Sequence, residues 1–345
     1  MPKHAWCRLA GLAMGAALAF TSCSALLAEG PYHVQDKWKV GGDGGWDYLA
    51  VDPQSGLLYI TRGSHVMVVD TTAGKAVADI TGLKGTHGVA FDTNGTDGYI
   101  SDGAGNAVAV FNRKSNKITQ TIPAGTNPDG IVFDPATKTV WAFNGRSKNA
   151  TVIDAATKQV VATVALPGKP EFPVADGKGS VFVNIEDRNE IVHLDAKSHK
   201  LLAEWPIGCE SPSGHAIDVA NNRLFAVCDG KKMAVVDAST GKVVATPEIG
   251  DGPDAAAFDP KTGNAFSSNG DGTLTVVHQD SANSYTVVQN VETQKGGRTM
   301  ALDAKTGKIY LVAAEFGPRP AATPENPRPR PAIVPGSFVV IVVSR

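Results

Sequence analysis

Residues 127–168 read NPDGIVFDPATKTVWAFNGRSKNATVIDAATKQVVATVALPG, and this stretch decides the fold. It holds four runs rich in β-branched and aromatic residues, each closed by turn chemistry. The first run ends at Asp134, where Pro135 presets one backbone angle and the Asp side chain can cap the turn. The second run covers residues 139–143, the third 150–154 and the fourth Gln159–Ala165. Connections this short leave each run antiparallel to the one before it, so the unit reads as a four-stranded meander.

The same unit recurs along the chain. Its Asp falls at Asp52, Asp92, Asp134, Asp176, Asp218, Asp259 and Asp303, with spacings of 40, 42, 42, 42, 41 and 44 residues. That is the period of a propeller blade, and seven copies predict seven blades. Runs such as Val66-Met-Val-Val are apolar throughout rather than alternating, so both faces of each sheet must be covered, as they are when blades pack face to face. The seventh copy has only three runs, at 299–302, 308–312 and 337–343, whereas an extra one, Tyr32-His-Val-Gln-Asp-Lys-Trp-Lys-Val-Gly, precedes the first copy. Pairing the two ends closes the ring and removes a free edge. The expected architecture is all-β: a single seven-bladed β-propeller domain over residues 29–345, closed by an N-terminal strand that completes the last blade.

The units Leu58-Tyr-Ile-Thr, Tyr99-Ile-Ser, Val68-Val-Asp and Thr240-Gly-Lys-Val-Val resemble the YVTN-type repeats of bacterial YncE-like propellers, over nearly the whole chain after residue 28. The resemblance implies a periplasmic or surface binding protein. Such repeats are blade-building patterns, and they specify fold more closely than function. Some propellers of this kind have been associated with DNA, but the charge of this chain does not support that reading.

Composition agrees with an all-β chain. Thirty-seven Gly, twenty-one Pro and only 7% aromatic residues favour many short elements joined by turns. Lys3 and Arg8, an apolar stretch from Leu9 to Phe20 and small residues up to Ala28 read as a signal peptide over residues 1–28, interrupted too early by Thr21-Ser22-Cys23-Ser24 to span a membrane. Its removal takes the formal charge from −2 to −4, since two cations and no acids are lost. With no basic stripe left, nucleic acid is not an expected partner. The expected product is a periplasmic or secreted monomer without a transmembrane segment. Cys209 and Cys228 are the two cysteines that remain, and in an oxidising compartment an isolated pair reads as a disulfide rather than a metal site. Pairing the first two strands of blade five around the 219–223 turn puts Cys228 opposite about Gly214, near the loop that holds Cys209.

In a propeller the loops leading into each first strand, and those joining second to third strands, share one face around the central channel. Five residues before each repeat Asp lie Asp47, His87, Asp129, Glu171, Ser213, Asp254 and Arg298, which symmetry places in one ring at the channel mouth. Four carboxylates and an imidazole would repel one another unless Arg298 or a cation compensated them. Asp47, His87, Asp129, Glu171 and Asp254 are therefore the candidate ligands of a divalent cation such as calcium. A solvated polar rim is the bland alternative. The second-to-third-strand loops add Arg62, Asp102, Asn144, Arg146, Glu186, Asp229, Asn269, Asp271 and Glu315. Arg146 and Glu186 stand out there, because a turn requires neither type.

No nucleophile elbow, phosphate-binding Gly loop or His-Glu-x-x-His spacing occurs. The expectation is therefore a binding or interaction module that takes an unknown small molecule or protein at the channel face. The alternative is a metal-dependent hydrolase, lyase or lactonase. The last blade carries a long insertion, Gly317-Pro-Arg-Pro-Ala-Ala-Thr-Pro-Glu-Asn-Pro-Arg-Pro-Arg-Pro-Ala-Ile-Val-Pro-Gly, expected over or beside the mouth with Arg319, Arg328 and Arg330 on it.

Overall fold

The computed structural model describes residues 1, 30–323, 327, 329 and 331–345. The signal peptide expected over residues 1–28 lies outside the described residues except for Met1, as do Arg328 and Arg330. From Pro31 to Arg345 the chain forms seven four-stranded antiparallel sheets. Among the described residues no helix is long and apolar enough to cross a membrane.

Blade three shows how sequence becomes sheet. Its strands are Pro128–Asp134, Thr139–Asn144, Asn149–Asp154 and Gln159–Ala165, paired in sequence order. The repeat Asp is what turns the chain between the first two strands. All seven accept a backbone N–H from two or three residues on, at 2.7 to 3.0 Å. First strands touch their neighbours all round the ring, and Leu49–Val51 of blade one meets Met300–Leu302 of blade seven.

The second and third strands are buried on both faces, as their unbroken apolar runs require: Leu58–Thr61, Thr139–Asn144 and Arg223–Cys228 are buried at every residue. The fourth strands differ, alternating between exposed and half-buried, as in Lys117–Pro123, because they form the outer rim. Val77, Val161, Leu202 and Val288 point outward from this rim. Two of these outer strands send a Trp over the turn of the next blade. Trp38 covers Gly74, and Trp205 covers Gly241. Both glycines have positive φ, +64° and +72°, and a Cβ there would come within 2.8 and 2.2 Å of the indole.

His33–Lys39 pairs antiparallel with Val339–Ser344 and completes blade seven, which otherwise contains Met300–Leu302 and Ile309–Ala313. In blade five Cys209 and Cys228 form a disulfide with Cα atoms 5.8 Å apart. The register differs by one residue from simple pairing about the turn. His215 pairs with Ala226 and Gly214 accepts from the Val227 N–H, while Glu210 bridges Asp229 and so brings Cys209 alongside Cys228.

Candidate functional site at the channel mouth

Four of the seven residues that lie five before a repeat Asp are set by hydrogen bonds between blades. A first strand exposes carbonyls toward its neighbour, and buried carbonyls need donors. Buried hydroxyls of the second strands supply them. Thr61 donates to His87 O at 3.1 Å, Ser101 to Asp129 O at 2.5 Å, and Ser268 to Arg298 O. The Asn184 amide does the same for Ser213 O at 2.8 Å. Each bond runs from one blade to the next and fixes the backbone from which a mouth side chain projects.

Blades one to three bring three of the candidate ligands together. His87 Nδ1 lies 2.6 Å from Asp47 Oδ2 and 3.5 Å from Asp129 Oδ1, and one donor atom from each of the three residues falls within 4.8 Å of the others. Asp129 is 7% exposed, and its Oδ1 accepts no hydrogen bond. Burial pulls the His87 pKa down, but the hydrogen bond to Asp47 and the charges of Asp129, Asp47 and Glu171 outweigh it and leave His87 raised to about 9. Asp129 is pushed up to about 6 by burial, against the pull of His87.

Glu171 and Asp254 do not join this cluster. Glu171 accepts from the Tyr48 hydroxyl at 3.1 Å and lies 3.3 Å from Lys169 Nζ, which also pairs with Glu186. Asp254 pairs with Arg298 at 3.3 Å. Burial raises both carboxyls to about 7; Asp129 adds to the rise of Glu171, and Arg298 opposes that of Asp254. The five-ligand set expected for calcium is thus divided into a cluster of three and two separate ion pairs. The physical reason is that Lys169 and Tyr48 reach Glu171, and Arg298 reaches Asp254, at the same mouth.

Ser213 is occupied structurally, its hydroxyl bonded to Pro253 O at 3.0 Å. Arg146 is exposed, and its backbone N–H closes the loop onto Thr126 O. Arg62, placed by its loop among the mouth residues, is fully buried instead. Its guanidinium donates to the carbonyls of Gly41, Gly42, Gly44 and Gly45 and lies 3.6 Å over the Phe338 ring. Asp102 is likewise buried and accepts from the Lys84 and Gly85 N–H groups.

Tyr48, Lys169 and Phe172 escaped the repeat analysis. Tyr48 belongs to blade one and Phe172 to blade four, so the 4.7 Å contact between their rings joins blades on opposite sides of the channel. Burial and the charges of Glu171, Asp254, Asp47 and Asp129 hold the Tyr48 phenol protonated, well above its ordinary range. The available signal was position: Tyr48 and Phe172 each follow a ring residue, where blades two, three and five carry Gly. His215 lies buried on the first strand of blade five, where burial pushes it down to about 3 and keeps it neutral.

These features define a seven-bladed propeller whose mouth, among the described residues, carries the carboxylates of Asp47, Asp129, Glu171, Glu186 and Asp254 beside the side chains of His87, Lys169 and Arg298. A family model, PQQ_2, described as outer membrane protein assembly factor BamB, matches residues 128–310, and the chain belongs to that bacterial propeller family. Among solved structures it is similar to Kuenenia stuttgartiensis hydrazine synthase, at 16% identity and a TM-score of 0.70, over 79% of this chain and 94% of that one. It is also similar to the RRP9 WD40 repeats, at 9% identity and a TM-score of 0.72, over 91% of this chain and 97% of the other. Likeness at such identities is likeness of fold. No match was found among curated protein sequences.

Proposed function

We propose that this chain is an exported, YVTN/YncE-like propeller of the bacterial envelope that acts as a binding scaffold and presents its channel mouth to a ligand carrying positive charge. Export rests on the basic, apolar and small-residue pattern of residues 1–28, and the family match supports an envelope location. The observation that carries the reading is the buried carboxylate excess. Asp129, Glu171 and Asp254 are raised to between about 6 and 7 chiefly by burial, with neighbouring carboxylates adding to the rise, and a bound cation would oppose both. Titration calorimetry with spermidine and with inorganic calcium tests the reading. Binding that weakens in Asp129→Asn and Glu171→Gln supports it, and the absence of heat from either cation sinks it.

A second reading is favoured by one observation, the buried Asp129 Oδ1 that accepts no hydrogen bond and lies with His87 and Asp47 in one cluster. Two carboxylates and an imidazole would suit zinc or another transition ion better than calcium. Such an ion would act as a Lewis acid in a hydrolase, lyase or lactonase. Metal analysis of the purified protein and its melting temperature with added zinc separate this reading from the first. Retained metal together with turnover of a lactone, ester or phosphate panel would favour catalysis. No retained metal and an unchanged melting temperature would remove it.

A further inference from the structure

A cavity of about 650 Å³ lies beside the mouth, between the blade-one lead-in loop and the long insertion of blade seven. This is within the size range of small-molecule sites. From this cavity we infer a binding site for a small organic monoanion with an aromatic or branched apolar body, the body held against Trp46, Phe316 and Ile333 and the anionic group on Arg298.

Three features carry the inference, and none depends on the acidic cluster. First, the walls are apolar and already in place. Trp46 packs against Phe316 at 5.9 Å and Phe338 at 5.3 Å, while Phe316 bridges Ile333 and remains 47% exposed, unlike the aromatic rings of the core. Second, the loop opposite is held by a buried guanidinium. Arg62 engages the carbonyls of Gly41, Gly42, Gly44 and Gly45, and a Cβ at Gly44, where φ is +89°, would come within 2.7 Å of Arg62 O. Carbonyls committed to a buried guanidinium are poorer partners for a polyhydroxylated ligand, so the cavity discriminates against one. Third, Arg298 lines the cavity with its side chain half exposed. A guanidinium has five N–H donors in a planar fork, and its contact with Asp254 leaves another edge for a carboxylate or sulfonate. Asp43, also on the cavity lining, repels a second negative charge and favours a monoanion over a dianion.

The probe pair is 1-anilinonaphthalene-8-sulfonate and its neutral relative N-phenyl-1-naphthylamine, titrated by fluorescence into the full-length mature protein. The anion should bind at least about tenfold more tightly than the neutral dye, the usual worth of a charge-assisted hydrogen bond. Arg298→Gln should abolish that difference while leaving the neutral dye unaffected. Phe316→Ala should weaken both dyes; Phe316 is substantially exposed, so folding is not at stake, and a melting curve on each variant verifies this. The inference fails if the wild-type protein binds neither dye, or if Arg298→Gln leaves the anion's affinity unchanged. It also fails if Phe316→Ala binds both dyes as before, which would place them on the exposed apolar residues of the outer rim. Loss of cation binding at the acidic mouth with dye binding intact would remove the proposed function and leave this site standing.

Discussion

In blades one, three, four and six a carboxylate stands at each end of the first strand, with opposite results. At one end the seven repeat Asp each accept a backbone N–H from two or three residues on, and Asp134 does so while fully buried. Asp52 also receives the buried Arg113, and although burial opposes it, the hydrogen bonds from Gln54, Ser55 and Arg113 leave its pKa below the ordinary value. At the other end Asp129, Glu171 and Asp254 are buried with too few donors and are pushed upward. A carboxylate whose donors come from its own turn is part of the scaffold, whereas one left short of donors is available to a ligand.

The largest expected effect comes from breaking the scaffold side. Arg113 bridges Asp52 of blade one and Asp92 of blade two with its side chain 3% exposed. Arg113→Ala leaves Asp52 buried beside an empty space, and urea denaturation should show a loss of about 3–5 kcal/mol. If the loss is under about 1 kcal/mol, these turn acids are not the fixed element assumed here.

A paired substitution tests the comparison directly. Asp134→Ala removes the acceptor for the Thr137 N–H and hydroxyl and should cost about 1–3 kcal/mol. Asp129→Asn replaces a charge that lacks a full complement of partners, and should change stability by no more than about 0.5 kcal/mol while weakening cation binding. A reversal of that order breaks the distinction.

The two ends should also respond oppositely to pH. Asp52, with its lowered pKa, contributes stability above the unfolded carboxylate pKa and loses it as the solution is acidified. His87, raised to about 9, contributes fully below its unfolded value and loses that contribution as pH rises through 9. The raised carboxyls of Asp129, Glu171 and Asp254 act in the same direction, because they disfavour the folded state once ionised. Calorimetry should find a lower melting temperature at pH 9 than at pH 6, with a flatter dependence in Glu171→Gln. Solvent at the part-open mouth keeps the change modest.

A small effect on stability is expected in the blade-seven insertion. Its base is a ribbon in which Gly317 N–H donates to Ala332 O and Val334 N–H to Glu315 O, and Ile333 packs on the core. A deletion must therefore spare residues 332–334. Replacing 319–331 with a short Gly/Ser turn should change stability by only about 0.6 kcal/mol per halving of loop length. It should weaken dye binding, because Pro331 lines the cavity. Unchanged binding by the deletion variant would separate the insertion from the site.

The sequence alone determined the blades. A period near 42 residues, turn Asp residues and continuous apolar runs are local signals, repeated seven times, and each copy reinforces the same solution. It also determined the closing strand, because an incomplete seventh copy needs the partner left over at the other end of the chain. Counting back from the repeat Asp brought Asp47, His87 and Asp129 to one place, since symmetry converts an equal offset into an equal position. What remained for the tertiary structure was everything that breaks the symmetry. Lys169 and Tyr48 separate Glu171 from the cluster, Arg298 captures Asp254, and Arg62 turns inward to hold a glycine loop. Of those outcomes the Tyr48–Glu171 contact joins blades one and four, Arg298 and Asp254 belong to adjacent blades, and Lys169 and Arg62 act within their own; no spacing along the chain records which of these side chains will touch.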